Sequence, residues 1–517
     1  MRLDLSIFGS PLVFSLEGFH GIYVLIALFT WSVSALFSLR YFQGHSRMGH
    51  YWKSTLWILA ALLLLLSSEN LSAAFLFLVM ISFISDNWVA FENTKEAHQA
   101  AGVYKAVACF GAGCALVGLI WLCSLAGTLN IDGLRAWSAT LPSRWPLLGP
   151  GVLIFIGFSA KAGIFPLHIW LPKAHPVAPA PASALLSGML TKAGLYGIII
   201  LSCHVFFRSV PWGAAMLVLG GINMLLGAVM GVFSANLKHT LACSSMSQIG
   251  FILIGVGLTT LLGEENALAA RGAMFHMMNH SFLKLNLFLC AGAVALGAHS
   301  LSLTKVRGFG RKKPLLHICF LIGFLGLACV PPLNGYLSKS LLHEALLEYD
   351  VLADSWLVSL FEKVFLFCGG LTFAYMAKLY LCLFWLKNRD PDLQAVYDAQ
   401  KNVLTTPAAL ALILSSLPLV ILALFPNKIS RPILEASMGF FRGAPLPGII
   451  AWYSADNLRG AGVSLLIGAV VCFLVHRFLV RDGEYPEIWP AWLDLEKSVY
   501  RPVLTRMLPS RRKKQEG

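Results

Sequence analysis

Seven ionisable residues stand where an apolar chain tolerates them least: Lys161, Lys192, His276, His280, Lys284, Lys339 and Lys378 all fall in or at the edges of hydrophobic runs. A charge at the centre of a bilayer costs about 2.5 to 3.5 kcal/mol on insertion scales, so such residues face protein or water and carry function by default. Lysine suits a proton path, because burial makes its ammonium readily give up a proton and a nearby carboxylate reverses that. Histidine titrates near neutral pH. In FHMMNHSFLKLNLFLC (275–290), His276, His280 and Lys284 recur every four positions and share one helix face. Three titratable groups in a row suit proton transfer. Satisfied core histidines and a metal site are the other readings, although no acid stands nearby to complete a ligand set. For Lys161 and Lys192 the bland alternative is a structural ion pair; Lys339 and Lys378 could instead snorkel from helix ends. Acids within reach of the apolar runs are few: Asp86, Glu344, Glu362 and Glu69, with Glu362 and Lys363 also readable as an interfacial pair.

These residues need elements to hold them. Around Lys161 and Lys192 the helix pattern is interrupted at Pro166, Pro172, Pro176, Pro179 and Pro181. Each break frees backbone groups that lipid cannot satisfy, which places it in a protein core or along a hydrated cavity. A second interruption, Pro331-Pro332 with Asn334-Gly335, stands just before Lys339. Thirteen crossings are expected: 19–39, 54–69, 71–91, 103–126, 149–171, 181–206, 212–234, 240–262, 268–296, 315–345, 359–386, 406–425 and 461–480. The broken segments lie five crossings apart. Five is odd, so 54–206 and 212–386 read as two five-helix repeats of opposite orientation, an arrangement that puts ion sites near the midplane. Before them comes 1–53 with the first crossing; after them come the crossings of 387–480 and a basic tail, 481–517. In KHTLACSSMSQIG, Ser244, Ser245, Ser247 and Gln248 bring polar side chains to one crossing, for water or for plain helix packing.

With 517 residues, 57% hydrophobic and 12% charged, the chain is an all-α polytopic membrane protein. No removable signal peptide is expected, since the first apolar run lacks a cleavage site after a basic region. The net charge of +14 sits at helix ends and in the tail, where it meets headgroups or partner subunits, not nucleic acid. Eleven cysteines lie singly, without the spacing that holds zinc or an iron–sulfur cluster, so no redox centre or other cofactor is expected in this chain. Lys and Arg gather on one set of alternate loops (Arg40, Arg47, Lys53, Lys305, Arg311, Lys387), which makes that side cytoplasmic, the N-terminus outside and the C-terminus inside. Trp489, Trp492, Tyr500 and Arg511-Arg512-Lys513-Lys514 make the tail an interfacial segment.

The stretches AKAGIFPLHIWLPKAHPVAPAPASALLSGMLTKAGLYG, LKHTLACSSMSQIG, FHMMNHSFLKLNLFLCAG and PPLNGYLSK, in order over roughly 55–390, closely resemble the antiporter-like subunits of complex I and its relatives. That family includes membrane subunits of hydrogenase-4 and formate hydrogenlyase, which are group 4 [NiFe] hydrogenases, as well as Mrp sodium/proton antiporters and proton-driven inorganic-carbon transporters. The resemblance implies two inverted five-helix bundles in a bacterial or archaeal inner membrane. It implies a non-catalytic subunit that moves protons, coupled to a redox partner elsewhere in a complex. Other membrane subunits and a soluble arm would be the partners, carrying iron–sulfur clusters and, in a hydrogenase, nickel–iron; sodium is the alternative ion. Lys161 matches the lysine of the first broken helix, Lys192 the central-axis lysine or histidine, His276, His280 and Lys284 the next relay stretch, and Lys339 the second broken helix. LTKAGLYG and PPLNGYLSK are most similar to the hydrogenase and Mrp branches. Two departures stand out. Family members commonly begin with two further crossings. The family also pairs its first lysine with a glutamate on the crossing at 71–91, where this chain has Val79 and Met80; Asp86, two turns on, is the candidate substitute, and a non-conducting scaffold is the rival reading.

Overall fold

The computed structural model describes residues 2–7, 9–400, 403–446, 448–480 and 483–486, with Asp494, Ser498 and Pro502. Most of the basic tail, including its tryptophans and terminal Arg-Lys run, lies outside the described residues. Among the described residues, twelve segments are long and apolar enough to cross a membrane. In chain order the helices used below are α1 (Gly18–Tyr41), α2 (Met48–Ser67), α3 (Leu71–Val89) and α4 (Lys95–Ala126), then the broken pair α5 (Leu148–Ala162) and α6 (Trp170–Val177). There follow α7 (Ala180–Val205), α8 (Val210–Phe233), α9 (Leu237–Leu262) and α10 (Ala267–Ala298). The stretch expected at 315–345 is two helices, α11 (Pro314–Leu327) and α12 (Asn334–Ala353). Last come α13 (Trp356–Tyr380), α14 (Thr406–Leu424), an amphipathic α15 (Arg431–Phe441) and α16 (Ala455–Leu474).

One element was not expected. Arg2–Ile7 and Ser10–Val13 pair as an antiparallel hairpin turning at Gly9, whose φ of +73° is open to glycine. The period-two alternation of RLDLS was the available signal, overshadowed by the apolar run that follows.

Both breaks are satisfied by asparagines from other helices. α5 ends on Gly163 (φ +77°), and the freed Phe165 N–H donates to Asn223 Oδ1 of α8 at 3.0 Å. α11 ends before Pro331-Pro332, and Asn279 of α10 donates to Asn334 O at 2.8 Å while Asn334 Nδ2 donates to Asn279 Oδ1 at 3.0 Å. Phe165-Pro166 and Pro331-Pro332 are both cis. In lipid the freed Phe165 N–H would have no partner, which is the work of Asn223, whereas Asn279 ties the start of α12 to α10.

At the centre, α7 is buried along its whole length and α9 along nearly all of it. α8 and α9 meet backbone to backbone: a Cβ on Gly250 would come within 2.6 Å of Gly220 O and 2.7 Å of Met224 Cα. Small residues allow this approach where apolar burial gives no preference for helix over lipid. Gly250→Leu is expected to force the pair apart, at about 3 kcal/mol or more for overpacking. Thermal unfolding in detergent would register the loss, and an unchanged transition would contradict it.

Candidate proton path

All seven cationic candidates are buried, Lys339 at 7% and Lys378 at 2% exposure, so neither snorkels to an interface. Near the first break, Lys161 closes the last turn of α5. Its Nζ donates to Ser85 Oγ of α3 at 3.2 Å and to the Tyr104 hydroxyl of α4, and these two hydroxyls lie 2.5 Å apart. The Trp170 ring stands edge-on to Tyr104, 4.9 Å between centroids. A narrow cleft opens beside Lys161 between α3, α4 and α5, and Val79 lines it. Met80 is exposed.

Asp86 does not take the place of the missing acid. It pairs with Lys105 at 2.8 Å instead. Successive helical residues point about 100° apart; with Ser85 aimed at Lys161, Asp86 turns toward the outer flank of α4. Lys161 is thus held by neutral hydroxyls, with a carboxylate in neither hydrogen bond.

The central group gathers on α7, α9 and α10. α7 widens into a π turn over Leu186–Leu190, a distortion often found at functional sites. There Lys192 Nζ donates to Ser187 O at 3.1 Å and to Nδ1 of His280. The other ring nitrogen of His280 has no hydrogen-bond partner among the described residues. Lys284 donates to Leu241 O at 3.0 Å and to Ser244 Oγ, while Ser245 Oγ meets Ser187 Oγ at 2.6 Å. His276 donates from Nε2 to Gln248 Oε1 at 3.0 Å and meets Ser338 Oγ with Nδ1 at 2.9 Å. Ser244 and Gln248 of α9 therefore face the titratable row of α10 while Ser245 faces α7, and a polar seam runs from α7 to α12. Among the described residues, no hydrogen bond joins this seam to Lys161.

Beyond the second break, Lys339 Nζ lies 3.9 Å from the centroid of the Phe251 ring and has no hydrogen-bond partner among the described residues. Glu344 accepts from Asn457 Nδ2 of α16 at 2.5 Å. Glu362 is not an interfacial partner of Lys363: its Oε1 lies 2.7 Å from His343 Nε2. Lys378 donates to three carbonyls at the end of α8, those of Gly231 (3.2 Å), Val232 (2.6 Å) and Ser234 (2.6 Å). Such a cation at a helix C-terminus complements the dipole.

Sequence reasoning passed over Ser85, Tyr104, His343 and His175. Both ring nitrogens of His175 lack a hydrogen-bond partner among the described residues, and its ring stacks on Phe288 at 4.7 Å. Lys238, singled out only for its motif, donates to Ala178 O at the end of α6 at 2.8 Å. A lone histidine in a proline-rich stretch carries no spacing signal, and a tyrosine in an apolar run reads as core. Among the described residues, no group of three or more His, Cys, Asp or Glu side chains could hold a metal ion.

Twelve apolar segments, the two expected breaks and a buried polar seam define a multi-pass antiporter-like membrane protein. The family described as NADH:quinone oxidoreductase/Mrp antiporter, TM, matches residues 68–365, more than half of the chain, and the chain belongs to it. Hydrogenase-4 component B of Escherichia coli is 31% identical over 348 residues, covering 64% of this chain and 50% of that protein. The chain thus spans half the length of that relative. A component of the Na(+)/H(+) antiporter of Alkalihalophilus pseudofirmus is 27% identical over 432 residues, covering 83% of each. A solved Mrp complex from Dietzia sp. DQ12-45-1b superposes with a TM-score of 0.81 at 22% identity, covering 100% of this chain and 55% of that one, which is a likeness of fold.

Proposed function

We propose that the chain is a proton-translocating membrane subunit of a complex I-like redox assembly, one built around a membrane-bound [NiFe] hydrogenase or a related ferredoxin- or formate-linked oxidoreductase. The observation that carries this reading is the Lys192–His280 contact inside the buried seam. A lysine and a histidine sharing a hydrogen bond, with no carboxylate between them, cannot both hold a full charge cheaply, so a charge arriving beside one displaces a proton from the other. Protons enter a hydrated half-channel and move laterally among Lys161, Lys192, His280, His276, Lys284 and Lys339. They leave as redox work in the partner subunits resets neighbouring charges. Those partners, other membrane subunits and a soluble arm, hold the iron–sulfur clusters and any nickel–iron centre. Val79 facing the Lys161 cleft makes the first half the weaker conductor.

In this proposal 54–206 and 212–386 are inverted repeats. Two asparagine caps support that: Asn70 at the start of α3 and Asn236 at the start of α9 stand at equivalent places, and each also forms an isolated backbone bridge to a following loop. The remaining units are 1–53, 387–480 and the interfacial tail 481–517, with the N-terminus outside and the C-terminus cytoplasmic in an inner membrane.

Purification in mild detergent followed by mass spectrometry tests the assignment. Nickel–iron and iron–sulfur subunits are expected to accompany the chain; recovery alone would overturn the proposal. The second reading is a sodium/proton antiporter module, favoured by the equal, near-complete coverage of the antiporter relative. Counterflow driven by an imposed gradient without a redox substrate would establish it.

A further inference from the structure

The end of the path is not assigned by any of the residues above. Lys339 is the last buried cation of the seam, and its nitrogen has no hydrogen-bond partner among the described residues. It opens on a narrow cleft between α12, α13 and α16, whose lining includes Ser340, His343, Asn457 and Ser464. His343 stands four residues after Lys339, on the same helix face. Its Nε2 is 2.7 Å from Glu362 Oε1 of α13, and the Glu362 side chain is 16% exposed. Two groups flank the ring without bonding to it: Phe365 lies nearly parallel (5.9 Å, 18°), and on the α16 side Gly460 leaves room beside Nδ1, where a Cβ would come within 3.3 Å. Among the described residues, no such dyad lines the cleft at Lys161, where apolar residues surround Tyr104 and Ser82. The two clefts therefore differ in the one feature that lets a proton pass through.

From this geometry we infer that the His343–Glu362 pair is the exit relay, carrying protons from Lys339 to the face of the membrane on which the α12–α13 turn lies. The inference rests on the proton-translocation reading above. One proton leaves the Lys339 ammonium through cleft water to Nδ1 of His343, and the proton on Nε2 passes to the Glu362 carboxylate and then to bulk water. The imidazole is restored when its ring reorients, Lys339 is reloaded from the seam, and no electrons move. Glu344, next to His343 on α12, is a further charged group there, and Asp456 of α16 lies close enough to act on it.

A structural tie between α12 and α13 would use the same contact, and two substitutions separate the roles. Glutamine keeps an oxygen for the His343 N–H but cannot carry a proton; aspartate keeps the carboxylate but shortens the reach. The complex, purified with its partners and reconstituted in vesicles, is assayed for redox-driven acidification with an enclosed pH indicator, alongside redox turnover and thermal unfolding. For a relay, Glu362→Gln assembles and unfolds like wild type while proton translocation falls by about a hundredfold, and Glu362→Asp restores most of it. Wild-type pumping in Glu362→Gln, or a loss in both variants that tracks their unfolding, overturns the relay. If the wild-type complex itself moves no protons, the functional proposal fails first and the relay with it.

Discussion

Lys192→Ala is expected to leave the complex assembled and to slow proton translocation by about a hundredfold, the low end of what one positioned proton-transfer group contributes. The expectation follows from how few contacts bind the centre of the seam. Lys192 donates to the Ser187 carbonyl, to the Thr191 hydroxyl at 3.4 Å and to His280, whose second nitrogen has no partner among the described residues. Removing the ammonium takes away the one hydrogen bond that the described residues give His280, and no neighbouring lysine is placed to reach it: Lys284 is held by Leu241 O and Ser244. The helix that carries Lys192 is enclosed by its neighbours, so assembly is expected to survive the loss of one side chain. Acidification of vesicles containing the purified complex measures the rate, and subunit stoichiometry on a native gel measures assembly. An assembled Lys192→Ala complex that pumps normally would remove the central seam from the mechanism.

The second large effect is on stability. Arg271 of α10 is 1% exposed. Its Nε and Nη2 donate to both carboxylate oxygens of Glu435 on α15, at 2.9 and 2.6 Å, and Nη1 donates to Ala267 O and Ala444 O. A bidentate pair of this kind fixes orientation as well as adding energy. Glu435→Ala strands a buried guanidinium, a loss of about 3 to 5 kcal/mol when the partner is fully enclosed. Since the Glu435 side chain is 41% exposed and water can replace part of it, about 2 kcal/mol is expected. The unfolding transition in detergent should fall for Glu435→Ala and by less for Glu435→Gln, while residual proton movement at low temperature stays intact. Equal transitions in all three proteins would refute the clamp.

What could be read from the chain follows from what bilayers forbid. Apolar length announced the crossings, and prolines beside lysines announced the two breaks, because both are costly enough to need a reason. The i, i+4 spacing of His276, His280 and Lys284 put them on one face, and they do lie together on α10. Their partners could not be read, since periodicity is silent about which helix a face meets. His276 turns to Gln248 and Ser338, whereas His280 turns to Lys192. Asp86 was misplaced for a related reason: nearness in sequence to the missing acid said nothing of the roughly 100° that separates it from Ser85. Tyr104 and Ser85, which hold Lys161, are ordinary residues of apolar helices until the third dimension sets them beside a lysine.

Lys378 has a consequence of another kind. An ammonium has three N–H bonds, and here three carbonyls receive them, all from the last turn of α8 and the residue after it. Count and geometry match only while the nitrogen keeps its third proton. An amine would bring two donors to three acceptors and turn a lone pair toward one of the oxygens. The fastening between α13 and the end of α8 would slacken, with Phe233 and Ser234 lining a space there that could take up the slack. At this position a proton would be felt as tension before it counted as cargo, and a subunit with such a rivet could report its charge to a neighbour by the set of a helix end.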